Sequence, residues 1–222
     1  MAEPGGLIKG LLYLSRARTV LASDFEAAFA RDDWNIAVRR GQESVEYAVK
    51  ALHLLGGQVP PVSHDPGLPR GILGRLPVVV FNPGDDPRSS SGVLMFPPGQ
   101  PWPNATLVKV VNGAYTMLAS FSLTTSSASL GVEMGGSTIR IMDGEQQVTA
   151  VTDTSVPLAG RWTPIPLTNA DWRFINNAAR RLAQDREAAF YFDREFTRED
   201  AEGTRFLAKG VLERVSRSLG GG

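Results

Sequence analysis

Residues 40–65 read Arg40-Gly-Gln-Glu-Ser-Val-Glu-Tyr-Ala-Val-Lys-Ala-Leu-His-Leu-Leu-Gly-Gly-Gln-Val-Pro-Pro-Val-Ser-His-Asp65. Gly41, Ser44, Val45, Ala48, Leu52 and Leu55 recur at three- and four-residue spacing, which predicts a helix with one buried stripe. Gly56-Gly57 ends it, because glycine accepts the backbone of a helix C-terminus, and Pro60-Pro61 forbids continuation. Working outward, this helix begins near Asp33, and an earlier one runs from Leu7 to about Ala30. On the far side, Ala201, Thr204, Ala208, Val211, Leu212, Val215 and Leu219 repeat the helical spacing behind Thr197-Arg-Glu-Asp200. In that start signal a hydroxyl caps a free amide and a carboxylate favours the positive helix end. Thr168 to Asn177 reads as a closing strand or as a helix start; Ile175, Ala178, Ala179 and Leu182 form an unbroken inward set, which favours the helix.

Between these flanks the chain changes character. From Leu76 to Pro166 the only charged residues are Asp85, Asp86, Arg88, Lys109, Glu133, Arg140, Asp143, Glu145, Asp153 and Arg161. Val78 to Phe81, Val93 to Phe96, Leu107 to Val111, Tyr115 to Leu123, Leu130 to Met134, Thr138 to Met142 and Gln147 to Val151 are short and rich in β-branched or aromatic residues. Asn112-Gly113, Gly135-Gly136 and Asp143-Gly144 separate several of them, as turns do in an antiparallel sandwich or barrel. The Ser/Thr run from Ser120 to Ser129 reads as a solvated hairpin. The expected fold is therefore α+β: an antiparallel helical bundle (residues 1–77 and 167–222) interrupted by an inserted all-β unit (78–166). The insertion is preferred to three units in a row because the amphipathic flanks need each other's apolar faces.

Composition narrows the chemistry. The 222 residues balance 23 Lys+Arg against 23 Asp+Glu, for a formal net charge of +0. Sequence-blind binding to nucleic acid depends on excess Lys/Arg, so the whole chain is not built for it, although a local basic patch remains open. There is no cysteine and only two histidines, His53 and His64. Thiolate chemistry is absent, and no metal and no cofactor are expected. The N-terminus lacks the apolar run of a secretory signal, and no stretch approaches the ~20 apolar residues of a membrane helix. A cytoplasmic protein without a membrane partner is expected.

The stretch Arg40–Asp65 resembles the second helix and following loop of HEPN domains, small helical bundles with nucleotide-binding associations. The pattern is Q-E-x-x-E-x-x-x-K-A, a Gly-bearing turn, a Pro, then H-D. Leu182 to Tyr191, followed by Phe196 to Ala201, resembles the family's R-E-x-x-x-Y turn and D-A helix. The resemblance implies a protein that binds nucleotide or RNA, or that pairs with a minimal nucleotidyltransferase in a toxin–antitoxin-like or defence context, and that forms a homodimer. Family ribonucleases carry R-x(4–6)-H before the last helix. Here Arg186 is kept and Tyr191 stands where His would be. A phenol near ~10 is a poor base at neutral pH compared with an imidazole near ~6.5, so the resemblance implies a non-catalytic or weakly active protein. No catalytic residue is assigned; a metal-independent ribonuclease using an Arg186/Tyr191 pair is the least favoured reading.

Candidate binding residues are Arg186, Tyr191, Glu46, Lys50, His64 and Asp65. Glu43, Glu46 and Lys50 lie at i, i+3 and i+7, so one helix side carries all three, and Glu46–Lys50 has the favourable acid-first order. They read either as a solvated ion pair or as a polar cluster supporting a groove. His64, between Pro60-Pro61 and Asp65-Pro66, reads as a loop anchor more readily than as an acid–base group; His53 reads as a boundary residue. Arg186 has Asp185, Glu187 and Asp193 as ordinary ion-pair partners. Within the β unit, Ser129 to Gly144 and the later Gly160-Arg-Trp162 are similar to strands of laminin-G-like, concanavalin-type sandwiches. That similarity implies an alternative, a recognition or scaffold protein whose β unit binds carbohydrate or protein through Trp102, Trp162, Tyr115, Asn104 and Asn112, residues that serve equally as core or loop packing.

Overall fold

The structure, a computed structural model, describes residues 4–64, 67–72, 76–81, 86–98, 103–123, 130–154, 156, 158–191 and 194–220. Helix α1 (Pro4–Thr19) runs without a break through a π-helical stretch (Val20–Phe25) into α2 (Glu26–Phe29), burying Val20, Leu21 and Phe25. Helix α3 (Trp34–Leu55) starts where Asp33 accepts a hydrogen bond from the Ile36 amide at 3.2 Å, and ends at Gly56. It packs against α1, α4 (Asn169–Tyr191) and α5 (Arg198–Ser218). The crossing of α3 and α5 is close because Gly41 has no side chain: a Cβ there would sit 2.3 Å from the Thr204 methyl.

Both later helices begin with reciprocal caps. Thr197 and Asp200 form the capping box expected from the sequence. Thr168 and Asp171 do the same for α4, the Thr168 amide and hydroxyl donating to the Asp171 carboxylate at 2.9 and 2.7 Å. The stretch open to two readings is therefore helix.

Among the described residues eight strands form two four-stranded antiparallel sheets. The first has the order β1 (Val78–Val80), β2 (Ser91–Phe96), β3 (Ala105–Val111), β4 (Ala114–Phe121). The second combines β5 (Leu130–Gly135), β6 (Thr138–Asp143), β7 (Gln146–Thr152) and β8 (Gly160–Trp162) in the order β7-β6-β5-β8. Asn112 and Gly113 join β3 to β4 with φ of 48° and 78°, as a two-residue hairpin with both central residues left-handed requires. β4 and β5 belong to different sheets, so the Ser/Thr run connects two layers and does not close a hairpin; its residues 124–129 lie outside those described.

Two apolar cores hold this arrangement. Val78, Val80, Val93, Met95 and Leu107 meet Leu130, Val132, Ile139 and Ile141 between the sheets. The other face of the first sheet, Val79, Leu94, Phe96, Val108 and Val110, belongs to the same core as the helices. The layers are thus helices, first sheet, second sheet. Backbone bonds join strand and helix segments as well: the Val79 amide donates to the Leu219 carbonyl at 2.6 Å, and the Ile165 amide to the Arg217 carbonyl at 3.0 Å. Among the described residues no helix is long and apolar enough to cross a membrane.

Asp171 ties the second cap to α5. Its carboxylate lies 3.1 Å from Arg214 Nε and 3.0 Å from Arg217 Nη2. Burial alone would raise this carboxyl, but the Thr168 amide and hydroxyl and the charges of Arg217 and Arg214 outweigh it and hold the group below its ordinary value. A carboxyl depressed in the folded state stabilises fully above its unfolded value of ~3.9 and loses that contribution as pH falls through the lower folded value. Asp171→Asn is expected to destabilise by about 2–4 kcal/mol at pH 7. In urea titrations that difference narrows in strong acid; an equal difference at pH 7 and in strong acid would remove the electrostatic account.

Candidate functional site

Glu46 sits midway along α3 and is 8% exposed. A carboxylate that far from water must be paired, since an uncompensated buried charge is costly. Four side chains meet this need. Gln42 Nε2, one turn earlier, donates to it at 3.1 Å, and Lys50 Nζ, one turn later, at 2.7 Å. Arg186 Nη1 donates from α4 at 3.1 Å. His64 Nδ1, in the loop after α3, lies 3.3 Å from each carboxylate oxygen. Arg186, Lys50 and His64, singled out separately in the sequence, thus converge on one group.

Among the described residues the corner keeps a positive surplus. Lys50 and Arg186 carry two charges against one on Glu46, and each spends one N–H on it, of three for an ammonium and five for a guanidinium. Their side chains are 14% and 27% exposed, and that of His64 56%, so the spare donors stay within reach of solvent. A carboxylate accepts, so Nδ1 is the donating nitrogen of His64 and Nε2 is the one left for a ligand; with Nδ1–H donated and Nε2 unprotonated the ring is the neutral tautomer. That is the tautomer a carboxylate-oriented imidazole uses in general acid–base chemistry. Beside the corner, Glu43 holds Arg40 at 2.6 Å and the Tyr47 hydroxyl at 3.0 Å, and Tyr47 stacks on Tyr13. Burial, and then the hydrogen bond to Glu43, raise the Tyr47 phenol above its ordinary value.

Several expectations change. Arg186 pairs with Glu46, and Asp185 faces Arg194 at 3.8 Å; the side chain of Glu187 lies outside the described residues. His64 ties its loop to α3 through Glu46, and the buried His53 ties the stretch beyond it, with Nε2 3.0 Å from the Gly67 carbonyl. His64 gains the ionisable partner that its sequence neighbours do not supply. Tyr191 is the last residue of α4, but its side chain lies outside the described residues, as do Asp65, Asp193 and Trp102. Gln42 escaped notice; the signal was an amide one helical turn before Glu46 on the stripe side of α3. In the β unit, Trp162 packs on the core between the sheets and Tyr115 on the helical core, so these aromatics share no single surface. Among the described residues no group of three or more His, Cys, Asp or Glu is placed to hold a metal ion.

No protein-family model, no curated protein and no solved structure matches this chain.

The pairing predicts an asymmetry in stability. Glu46→Ala leaves Lys50 and Arg186 facing each other without an anion and is expected to cost about 3–5 kcal/mol. Arg186→Ala leaves Glu46 with Lys50 and costs about 1 kcal/mol. Urea midpoints at pH 7 read both, and equal losses would contradict the assignment of Glu46 as the centre.

Proposed function

We propose that the chain binds the phosphate of a nucleotide or of RNA at the corner where α3, α4 and the loop 58–64 meet, as a non-catalytic or weakly active HEPN-like protein. One observation carries this: a buried carboxylate draws Arg186, Lys50 and His64 together from three elements and leaves a net positive charge with spare N–H donors. Guanidinium and ammonium groups held in place by a carboxylate are already oriented when an anion arrives, which lowers the ordering cost of binding. The resemblance to HEPN domains supports the same ligand class, because its two segments supply the two halves of the corner. It also supports pairing with a second copy or with a nucleotidyltransferase, which light scattering and co-purification read directly.

Fluorescence polarisation with labelled mononucleotides and short single-stranded RNA tests the proposal at low salt. The wild-type chain is expected to bind, and Arg186→Ala to weaken binding by about tenfold or more, the worth of one charge-assisted hydrogen bond. Absence of binding to every probe would overturn it.

The contact between His64 and Glu46 favours a second reading, slow phosphodiester cleavage with His64 as the proton-transfer group. It requires RNA turnover that His64→Ala abolishes and Tyr191→Phe leaves intact.

A further inference from the structure

Most described arginines sit against a carboxylate, as Arg140 does on Glu133 and Arg205 on Glu26. Arg70, Arg173 and Arg180 have no carboxylate partner among the described residues, and the three belong to one place. Arg173 and Arg180 line a cleft of about 410 Å³ between the loop at Gly67 to Pro69 and the outer side of α4. Arg70 borders it, its guanidinium stacked 4.8 Å from the Trp172 ring centroid. Arg31 and Arg181 likewise have no carboxylate contact among the described residues, but Arg70, Arg173 and Arg180 share one concave wall, which focuses their field.

The cleft is built before any ligand arrives. Trp172 Nε1 donates to the Leu68 carbonyl at 2.6 Å, and Asn176 Oδ1 accepts from the Leu68 amide at 2.7 Å. His53 holds the same loop from α3 through the Gly67 carbonyl. The loop wall is therefore pinned to the helix wall. Arg173, Asn177 and Arg180 stand at i, i+4 and i+7 on one exposed side of α4, which places the Cα atoms of the two arginines about 10 Å apart along the axis.

We propose that this cleft is a second anion site, taking a ligand that carries two or more phosphate groups. Planar guanidinium forks match phosphate oxygens bidentately, and Arg173 and Arg180, spaced two turns apart with Arg70 at the border, supply more forks than one phosphate uses. The site does not depend on the Glu46 corner: Arg186 lies on the side of α4 turned to Glu46 and takes no part.

The test is calorimetric titration of the full chain with inorganic tripolyphosphate, orthophosphate and heparin at low salt. Tripolyphosphate is expected to bind about tenfold or more tightly than orthophosphate, and Arg173→Ala/Arg180→Ala to lose about tenfold or more of that affinity. These side chains are exposed, so an unchanged urea midpoint confirms that the double variant is folded. Arg198→Ala, an exposed arginine paired with Glu202 outside both sites, is expected to leave tripolyphosphate affinity unchanged. Undiminished affinity in the double variant overturns the cleft, and if Arg186→Ala removes binding instead, the Glu46 corner stands alone. Binding of heparin with none of tripolyphosphate assigns the cleft to sulfated polymers and overturns the phosphate assignment. Nucleotide binding that Arg186→Ala weakens and the double variant keeps, together with tripolyphosphate binding that the double variant weakens, supports both sites.

Discussion

The burial of α3 is the constraint on which the rest depends. This helix is enclosed by α1, α4 and α5, and its buried positions include a carboxylate as well as Ala48, Val49 and Leu52. Apolar packing alone would be satisfied by any side chains of suitable size at this depth. A charge there is different, because it fixes which groups must come to meet it. Glu46 therefore sets the rotation of α4, which must offer Arg186, and the path of the loop after Gly56, which must return His64 to the helix it has just left. Gly41 sets the approach of α5 in the same way, through a steric limit and not a charge.

The first sheet imposes a comparable constraint on the strands. Because one of its faces lies in the helical core and the other against the second sheet, the β region is not a free appendage on the bundle. Hydrogen bonds from Val79 to Leu219 and from Ile165 to Arg217 bring the end of α5 to the strands, and Asp171 links the start of α4 to the same end of α5 through Arg214 and Arg217. Helix α4, which carries Arg186 and one wall of the cleft, is thus braced at its start by α5, and α5 in turn by β1, which favours preformed sites over sites assembled on binding.

Much of this was legible from local pattern. Thr197 with Asp200 and Thr168 with Asp171 announce helix starts because a cap is a matter of three residues, and Asn112-Gly113 announces a hairpin because few residue pairs accept its backbone. The unbroken runs Val78 to Val80 and Val93 to Phe96 also hold the sign that both faces of the first sheet are covered, since a half-exposed strand alternates; their number and turns suggested strands, but their lack of alternation says more. The site was legible in its parts and not in its assembly. Lys50 is one helical turn from Glu46 and could be paired on spacing alone, whereas His64 and Arg186 are 18 and 140 residues away. Nothing in local sequence predicts such contacts, and the nearby acids drew the reading of Arg186 towards its own stretch of chain, away from Glu46 on α3.

The most direct measurement of the central claim is a crystal structure of the chain with a bound mononucleotide or short RNA. The account predicts a phosphate oxygen within hydrogen-bonding distance of both Arg186 and Lys50, with Glu46 still holding the two cations in place. Density for the ligand that touches neither Arg186 nor Lys50 would contradict it.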